Sequence, residues 1–476
     1  MIVNGIIKIN NEQQYNPLLE VGAFCGDECR GSSFARLFPP TGEYVAQITI
    51  VSNATDGETI NFRLYDHEIQ AEPDVVCFNT IEFVADGEIG TYGGWYEYVF
   101  YGPDNIQNVN LVEGWNWWST FIEQNGNNGL ETLEDNLGHN GSVIKSQTQS
   151  VVNYYPQTDD DMWFGDLTSL ENEQGYLVNT TSACEFIYAG VAVNPSEHPI
   201  TLVPNWTWIG YPVNIEQYPA EAMSGFVPTQ NDIVKGQNSF ALYYDGWFPQ
   251  DFVMIPGQSY KYQSKSDENR TLTFVNSGNR AEMNRENRYW KSNEHAFADN
   301  MNIVATVTVA GVEQSDTDLE LGAFVNGVCR GSAKLKYFEP LNRYYAMLTI
   351  SGDKEEDVEF ALVNAEQNKM GNSSDESLTF ASDAVVGSLT EPFEIHFGEM
   401  TDIDRSSLVI YPNPVDRNEM FTLDIPNDET IKEIVITDAL GSVVCKNTFS
   451  LRVSGVYMVK AICASGNVYF GKLIVK

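Results

Sequence analysis

The sequence predicts a mainly β protein built from tandem β-sandwich-like modules in A-B-B-A order, with an Ig-like β-sandwich at the C-terminus. Three observations carry this prediction. One stretch recurs at a distance of 300 residues, and a second, Trp-rich pair of repeats lies between the two copies. The third is composition: 37 Gly, 24 Tyr and 25 Phe in a chain with few long apolar-periodic stretches favour short strands separated by turns.

The outer repeat comes first. "LEVGAFCGDECRGSSFARLF" at 19–38 returns as "LELGAFVNGVCRGSAKLKYF" at 319–338, and "INFRLYD" at 60–66 answers "VEFALVN" at 358–364. Each copy runs as short alternating segments broken by turns, the pattern of a β-sandwich. These are modules A1 (1–105) and A2 (277–400, including a linker). Asn326-Gly327 marks a two-residue hairpin turn, and Gly26-Asp27 takes the same place in A1. Cys25 then faces Glu28 and Phe24 faces Cys29, which puts Cys25 and Cys29 on opposite faces. They neither bridge nor chelate one metal, and A2 has Val325 where A1 has Cys25. Cys29 and Cys329 read as small buried groups, and Cys77 is the candidate disulfide partner of Cys25 in an oxidising compartment. Arg30 and Arg330, present in both copies, are expected to form an ion pair that fixes the hairpin to its sheet. A ligand carboxylate or a neighbouring protein is the functional alternative.

The inner pair comprises B1 (106–192) and B2 (193–276). "LVEGWNWWSTF" at 111–121 matches "LVPNWTWIGYP" at 202–212. Helical stretches follow at 130–137 and 218–226, then "VIKSQ" at 143–147 and "IVKGQ" at 233–237, a Tyr-Tyr pair, a Trp (Trp163, Trp247) and a closing Tyr (Tyr176, Tyr260). Trp115 and Trp117, like Trp206 and Trp208, are two apart and share one strand face. Buried, that face is a core; exposed, it is a platform on which sugar rings stack. Trp118 points the other way and is Ile209 in the second copy, which makes it the better candidate for exposure. Trp118, Trp163 and Trp247 are therefore candidate ligand contacts, together with Arg30 and Arg330. The polar segment 275–300 reads as a solvated linker whose Arg280, Arg285, Arg288 and Lys291 could dock on acidic neighbours.

Several functions are excluded or disfavoured. A formal net charge of -39 argues against nucleic-acid binding, which needs clustered Lys and Arg. No apolar run approaches the length of a transmembrane helix, and "MIVNGIIKIN" is not a signal peptide. "SVIK" at 142–145 matches an S-x-x-K nucleophile pattern, but B2 reads "DIVK" there and the setting is a strand, so the match is rejected. Asp159, Asp160 and Asp161 form a carboxylate cluster that would suit Ca²⁺, without EF-hand spacing. The five histidines show no metal-ligand spacing.

Residues 401–476 open with "LVIYPNPV" at 408–415 and continue as alternating segments at 431–444 and 455–476, with turns at 438–441 and 465–467. Four elements stand in order: Tyr411-Pro412-Asn413-Pro414, the Asp438/Gly441 turn, Gly455-Val456-Tyr457, and the end from Lys472 to Lys476. In these elements the unit resembles the type A C-terminal sorting domain of cargo of the type IX secretion system of Bacteroidota. The resemblance implies export by way of the periplasm and through the outer membrane. It also implies a translocon that reads the Pro-rich opening and the terminal strand, and a sortase-like machinery that attaches the product to surface lipopolysaccharide or releases it. Cys445 and Cys463 either pair or remain buried thiols. Such cargo needs a Sec signal, so the chain reads as the C-terminal part of a longer protein, or as one whose start codon is misassigned.

The expected function is a non-catalytic accessory or adhesive region of a secreted or surface-anchored protein, without cofactor over this span. Glycans or surface proteins are the candidate partners. The alternative is the carbohydrate-binding tail of a glycan-degrading enzyme, acting through the B-repeat tryptophans.

Overall fold

A computed structural model describes residues 1–124, 129–154, 162–282, 286–353, 355–367, 369–372, 376–402, 408–425, 430–438, 441–464 and 468–476. Strands dominate, and the chain divides into two compact units. The first comprises Met1–Val363 with Asn372–Gly398; the second comprises Asn364–Gly371 with Glu399–Lys476.

In A1 one sheet runs in the order Arg36–Phe38, Glu43–Thr49, Ile2–Ile9, Tyr96–Tyr101, Val76–Cys77; the other runs Glu28–Phe34, Leu19–Cys25, Asp56–Asp66, Ile81–Val84. Strand Asp56–Asp66 shows why two sheets close on each other. Ile60, Phe62 and Leu64 are buried while Asn61 and Arg63 between them are exposed. That period of two presents one apolar face, which packs against Val3, Ile7 and Ile48 of the facing sheet.

A2 repeats the plan in register. Ile2↔Thr49 becomes Asn302↔Thr349, and Phe24↔Cys29 becomes Phe324↔Cys329. In A2 a single strand, Val328–Phe338, pairs Leu319–Val325 through its first half and Arg343–Ser351 through its second. In A1 the buried Ala35 separates the corresponding Glu28–Phe34 and Arg36–Phe38. The hairpin alternates as expected, but Cys29 is exposed and Cys329 half-buried, so neither is the buried group anticipated. No disulfide joins any described cysteine. Cys25 ends a strand of one A1 sheet, and Cys77 pairs with Phe100 on the edge of the other; both thiols are free.

The B repeats share one topology. Their five-stranded sheets run Gly114–Trp118, Tyr176–Thr180, Gly141–Lys145, Ser150–Asn153, Trp163–Gly165 and Asn205–Ile209, Tyr260–Ser264, Ile233–Lys235, Phe240–Tyr243, Trp247–Phe248. Helix Gly129–Leu137 covers one face of B1 with Leu130, Leu133 and Leu137, spaced three and four apart. Its B2 counterpart is a single turn, Pro219–Ala222. The segment read as solvated linker is packed instead. Arg280 pairs with Glu216 at 3.1 Å, Glu320 accepts from the Tyr289 and Trp290 amides at 2.6 and 3.1 Å, and the Trp290 ring lies 5.3 Å from Phe324. Arg285 lies outside the described residues.

In the second unit, Val409–Tyr411 pairs Thr422–Asp424, and a four-stranded sheet runs Val443–Lys446, Ile431–Asp438, Gly455–Cys463, Val468–Val475. Leu408, Ile410, Phe421, Ile436, Val459 and Leu473 share its core. Cys445 opposes Ile436 and Cys463 opposes Ile431, on opposite sides of the same strand, so the two thiols do not bridge.

Gly331 of the A2 hairpin lies so close to the facing strand that a Cβ would collide with the Thr349 carbonyl, as one at Gly31 would with Thr49. Gly331→Ala is expected to lower stability by about 1–3 kcal/mol, read as a lower urea midpoint. An unchanged midpoint would contradict this packing.

Candidate functional site

The B-repeat tryptophans are buried or half-buried. Trp118, expected to face outward, is 2% exposed. Its side of the strand turns toward the helix-covered core, where its ring meets Tyr176 and Tyr188 at 6.2 and 5.8 Å. Trp247 is likewise buried, against Tyr243 and Tyr262. Trp163 is half-buried on the B1 core.

Trp115, Trp117, Trp206 and Trp208 lie on the opposite faces of the two sheets, and lysines fill the space between them. Lys145 Nζ is 4.9 Å from the Trp115 ring of its own repeat and 6.0 Å from Trp208 of the other. Lys235 Nζ is related in the same way to Trp206, at 4.6 Å, and Trp117, at 6.0 Å. Lys261, which replaces Leu177 of the first repeat, stands 4.8 Å from Trp117 and 4.4 Å from Trp208. Cation–π contacts of this kind strengthen when desolvated, to about 2 kcal/mol or more each. Lys235 and Lys261 are 0% and 1% exposed.

The retained glutamines complete the reciprocity. Gln147 of B1 accepts from the Trp208 amide and donates to the Trp206 carbonyl, both at 2.9 Å. Gln237 of B2 accepts from the Trp117 amide at 3.1 Å and donates to the Trp115 carbonyl at 2.7 Å. Each edge strand would otherwise present these groups unpaired. A local two-fold relation thus joins the repeats into one body.

Charge neutralisation comes from A2. Asp383 meets Lys235 Nζ at 2.7 Å and Lys261 Nζ at 2.9 Å, and Asp299 meets Lys261 at 3.4 Å. Lys235 also donates to the Asn300 side chain and carbonyl, at 2.8 and 3.2 Å, and the Trp206 indole N–H donates to the Asp383 carbonyl. Burial pulls the Lys235 amine down to about 8 despite its anionic partner, and lowers Lys145 as well. Burial alone would raise Asp383, but the two ammoniums hold it below the usual carboxylate range. A lysine with a pKa of about 8 has the acidity of a nucleophilic amine, yet Lys235 is fully enclosed.

A cavity of about 250 Å³ adjoins the stack beside Trp117 and Trp118, lined by several amides. Gln107, Asn116 and Gln237 already bond backbone groups there. The S-x-x-K match fails in space too: Ser142 Oγ bonds Asn179, while Lys145 extends to the tryptophans.

The paired arginines each stand at a β-bulge and meet a glutamate. Ala23 opposes Gly31 and Phe24 opposes Cys29, which leaves Arg30 as the extra residue of a β-bulge; Arg330 sits identically. Arg30 pairs with Glu58 at 3.1 Å and Arg330 with Glu356 at 2.9 Å. Ser52 Oγ and the Asp353 amide hold the second oxygen of each acid, and Phe297 lies 4.0 Å from the Arg330 guanidinium.

In the second unit, the residues singled out from the motifs gather at two places. Asn413 donates to the Lys472 carbonyl at 2.5 Å and accepts from the Ile474 amide at 2.8 Å, so the Tyr411-Pro412-Asn413-Pro414 run is tied to the terminal strand. The Lys476 amide donates to the Val415 carbonyl at 2.9 Å. Tyr411, Lys472 and Lys476 are exposed. At the other place, the Gly441 amide bonds the Asp438 carbonyl at 3.0 Å and the Ser442 amide bonds the Asp438 carboxylate at 2.8 Å. Buried Tyr457 donates to Val453 and packs against Gly455.

Asp159, Asp160, Asp161 and the 465–467 turn lie outside the described residues, among which no group of His, Cys, Asp and Glu could hold a metal. No described helix is long and apolar enough to cross a membrane. Sequence reasoning missed Lys145, Lys235, Gln147 and Gln237 as a site although "K-x-Q" stands in both B copies. Lys261 and Asp383 had no comparable signal.

No protein-family model and no curated protein matches the chain. Among solved structures, the human Desmocollin-1 ectodomain aligns with 99% of this chain and 79% of its own, at 7% identity and a TM-score of 0.10. A likeness that low carries no argument.

Removing one partner of a buried pair strands its charge. Asp383→Asn is expected to cost about 3–5 kcal/mol, whereas Lys235→Met, which leaves Asp383 to Lys261, stays within about 1 kcal/mol of the parent. Urea denaturation distinguishes them, and equal losses would contradict the assignment. The pH dependence has two parts. The stabilisation by Asp383 is present above the ordinary carboxylate range and is lost as pH falls through its depressed value. For Lys235, the unfolded chain binds the proton more tightly, so this group's contribution to stability rises from pH 8 to 10.5.

Proposed function

We propose that the chain is a non-catalytic accessory or adhesive region of a secreted or surface-anchored bacterial protein, with residues 401–476 as its type IX export and attachment address. The observation that carries this reading is the convergence of the motif on the terminal strand. The Asn413 side chain bonds the Lys472 carbonyl and the Ile474 amide. Tyr411, Lys472 and Lys476 remain outside for a translocon to read. From residue 439 onward the chain carries Lys446, Arg452, Lys460, Lys472 and Lys476 and no acid, a local balance opposite to that of the whole chain and suited to an acidic partner surface.

The upstream modules serve as a rigid spacer or adhesive body. Lys235 supports a bracing role over a chemical one, because its amine is sealed by tryptophan, Asn300 and Asp383.

The full chain, expressed behind a Sec leader in a type IX-competent bacterium, is expected to reach the cell surface and to stay in the periplasm of a strain without the translocon. Asn413→Ala should reduce the surface fraction while leaving total protein unchanged, read by immunoblot of fractionated cells. Equal surface delivery with and without the translocon would reject the reading.

A further inference from the structure

The sheet of B2 has an outer face formed by Ile233, Leu242, Tyr244 and Phe248, and module A2 covers it. Phe248 lies 4.8 Å from Phe338 and 6.2 Å from Tyr345, and Val304, Met347 and Leu389 join the same cluster. Two ion pairs frame the seam: Lys235–Asp383 at 2.7 Å and Lys336–Asp251 at 2.6 Å.

The repeat carries the same face into B1. Val143, Val152, Tyr154 and Phe164 occupy the corresponding positions. The pairings Val143↔Val152 and Val152↔Phe164 reproduce Ile233↔Leu242 and Leu242↔Phe248. Here the face is open: Phe164 is 70% exposed, Tyr154 60% and Val152 38%.

The other half of the seam also recurs. A1 has Phe38 at the Phe338 position, Arg36 at that of Lys336 and Asp86 at that of Asp383, with φ 60° at both aspartates. Arg36 and Asp86 are exposed, as is Tyr92, which stands at the position of Leu389 in the A2 cluster. B1 answers with Lys145 at the Lys235 position and Asp166 beside that of Asp251. Two halves of an observed contact, complementary in charge and apolar surface, therefore stand uncovered in one chain. A1 does not reach its own B1 face. Residues 102–105 span about 14 Å at most, and Asn105 is bonded to Gly190 and Ala192.

We infer that the A1 face of one copy docks on the B1 face of a second copy, reciprocally, giving a two-fold dimer with two such seams. On the A1 side Asn4 and Gln47 replace Val304 and Met347, so the seam is more polar than its A2–B2 counterpart and the dimer is reversible.

Sedimentation of the full chain from low micromolar to near-millimolar concentration tests this. The expected result is a monomer–dimer equilibrium. Phe164→Asp and Tyr92→Asp alter exposed side chains, and circular dichroism should show both variants folded. Each should weaken dimerisation by roughly tenfold or more. Mixing the two should restore association, because one variant retains an intact A1 face and the other an intact B1 face. A chain monomeric throughout, a dimer indifferent to Tyr92→Asp, or a mixture that stays monomeric would overturn the inference.

Discussion

Three lysine side chains set among four indoles hold the middle of this chain together. Burying an ammonium costs several kcal/mol even after the protein relaxes. Lys235 offsets that cost with the carboxylate of Asp383, the amide oxygen of Asn300 and the face of Trp206. These anionic and amide acceptors belong to A2, while the cations and rings belong to the B pair. Neither side is satisfied alone, so docking of A2 and closure of the B pair are one event. A buried ionic contact of this kind adds registry more than stability. An apolar seam would tolerate sliding, but Gln147 and Gln237 each match one N–H and one C=O of the facing edge strand.

The same constraint explains an asymmetry between repeats. Lys145 and Lys235 are related by the local two-fold, but Lys261 has only Leu177 as its counterpart. The extra cation sits on the repeat that A2 covers, where Asp299 and Asp383 neutralise it. Lys145, the single cation between residues 106 and 192, is the half-buried member of the stack. The large negative charge of the chain is thus compatible with a core that is locally cationic, since most carboxylates remain in water.

Much of the local architecture was legible in the sequence. A glycine turn and strict alternation determine the Phe24↔Cys29 register, and the arginine kept in both A copies pairs with Glu58 and Glu356. Local rules suffice for the hairpin, because Phe24 and Cys29 lie on adjacent strands. They failed wherever distant elements decide burial. A lysine in mid-strand reads as solvent-facing until another module covers it, and Asp383 lies 148 residues from Lys235 in the chain. Trp118 was read as outward because its repeat partner is Ile209. In the fold, both residues face the helix-covered core and both are buried. The polar composition of 275–300 suggested a linker, but Glu320 captures two of its backbone amides.

The central claim is that B1, B2 and A2 form one cooperative body through the lysine–indole stack. Native-state hydrogen exchange tests it most directly, because local and global openings carry distinct free energies. The account predicts that the Trp117 and Trp208 amides, bonded across the repeats by Gln237 and Gln147, open with the same free energy as the central A2 strands Asn300–Val309 and Arg343–Ser351. Exchange of the Trp117 and Trp208 amides through a lower-energy opening, with the A2 strands still protected, would contradict it.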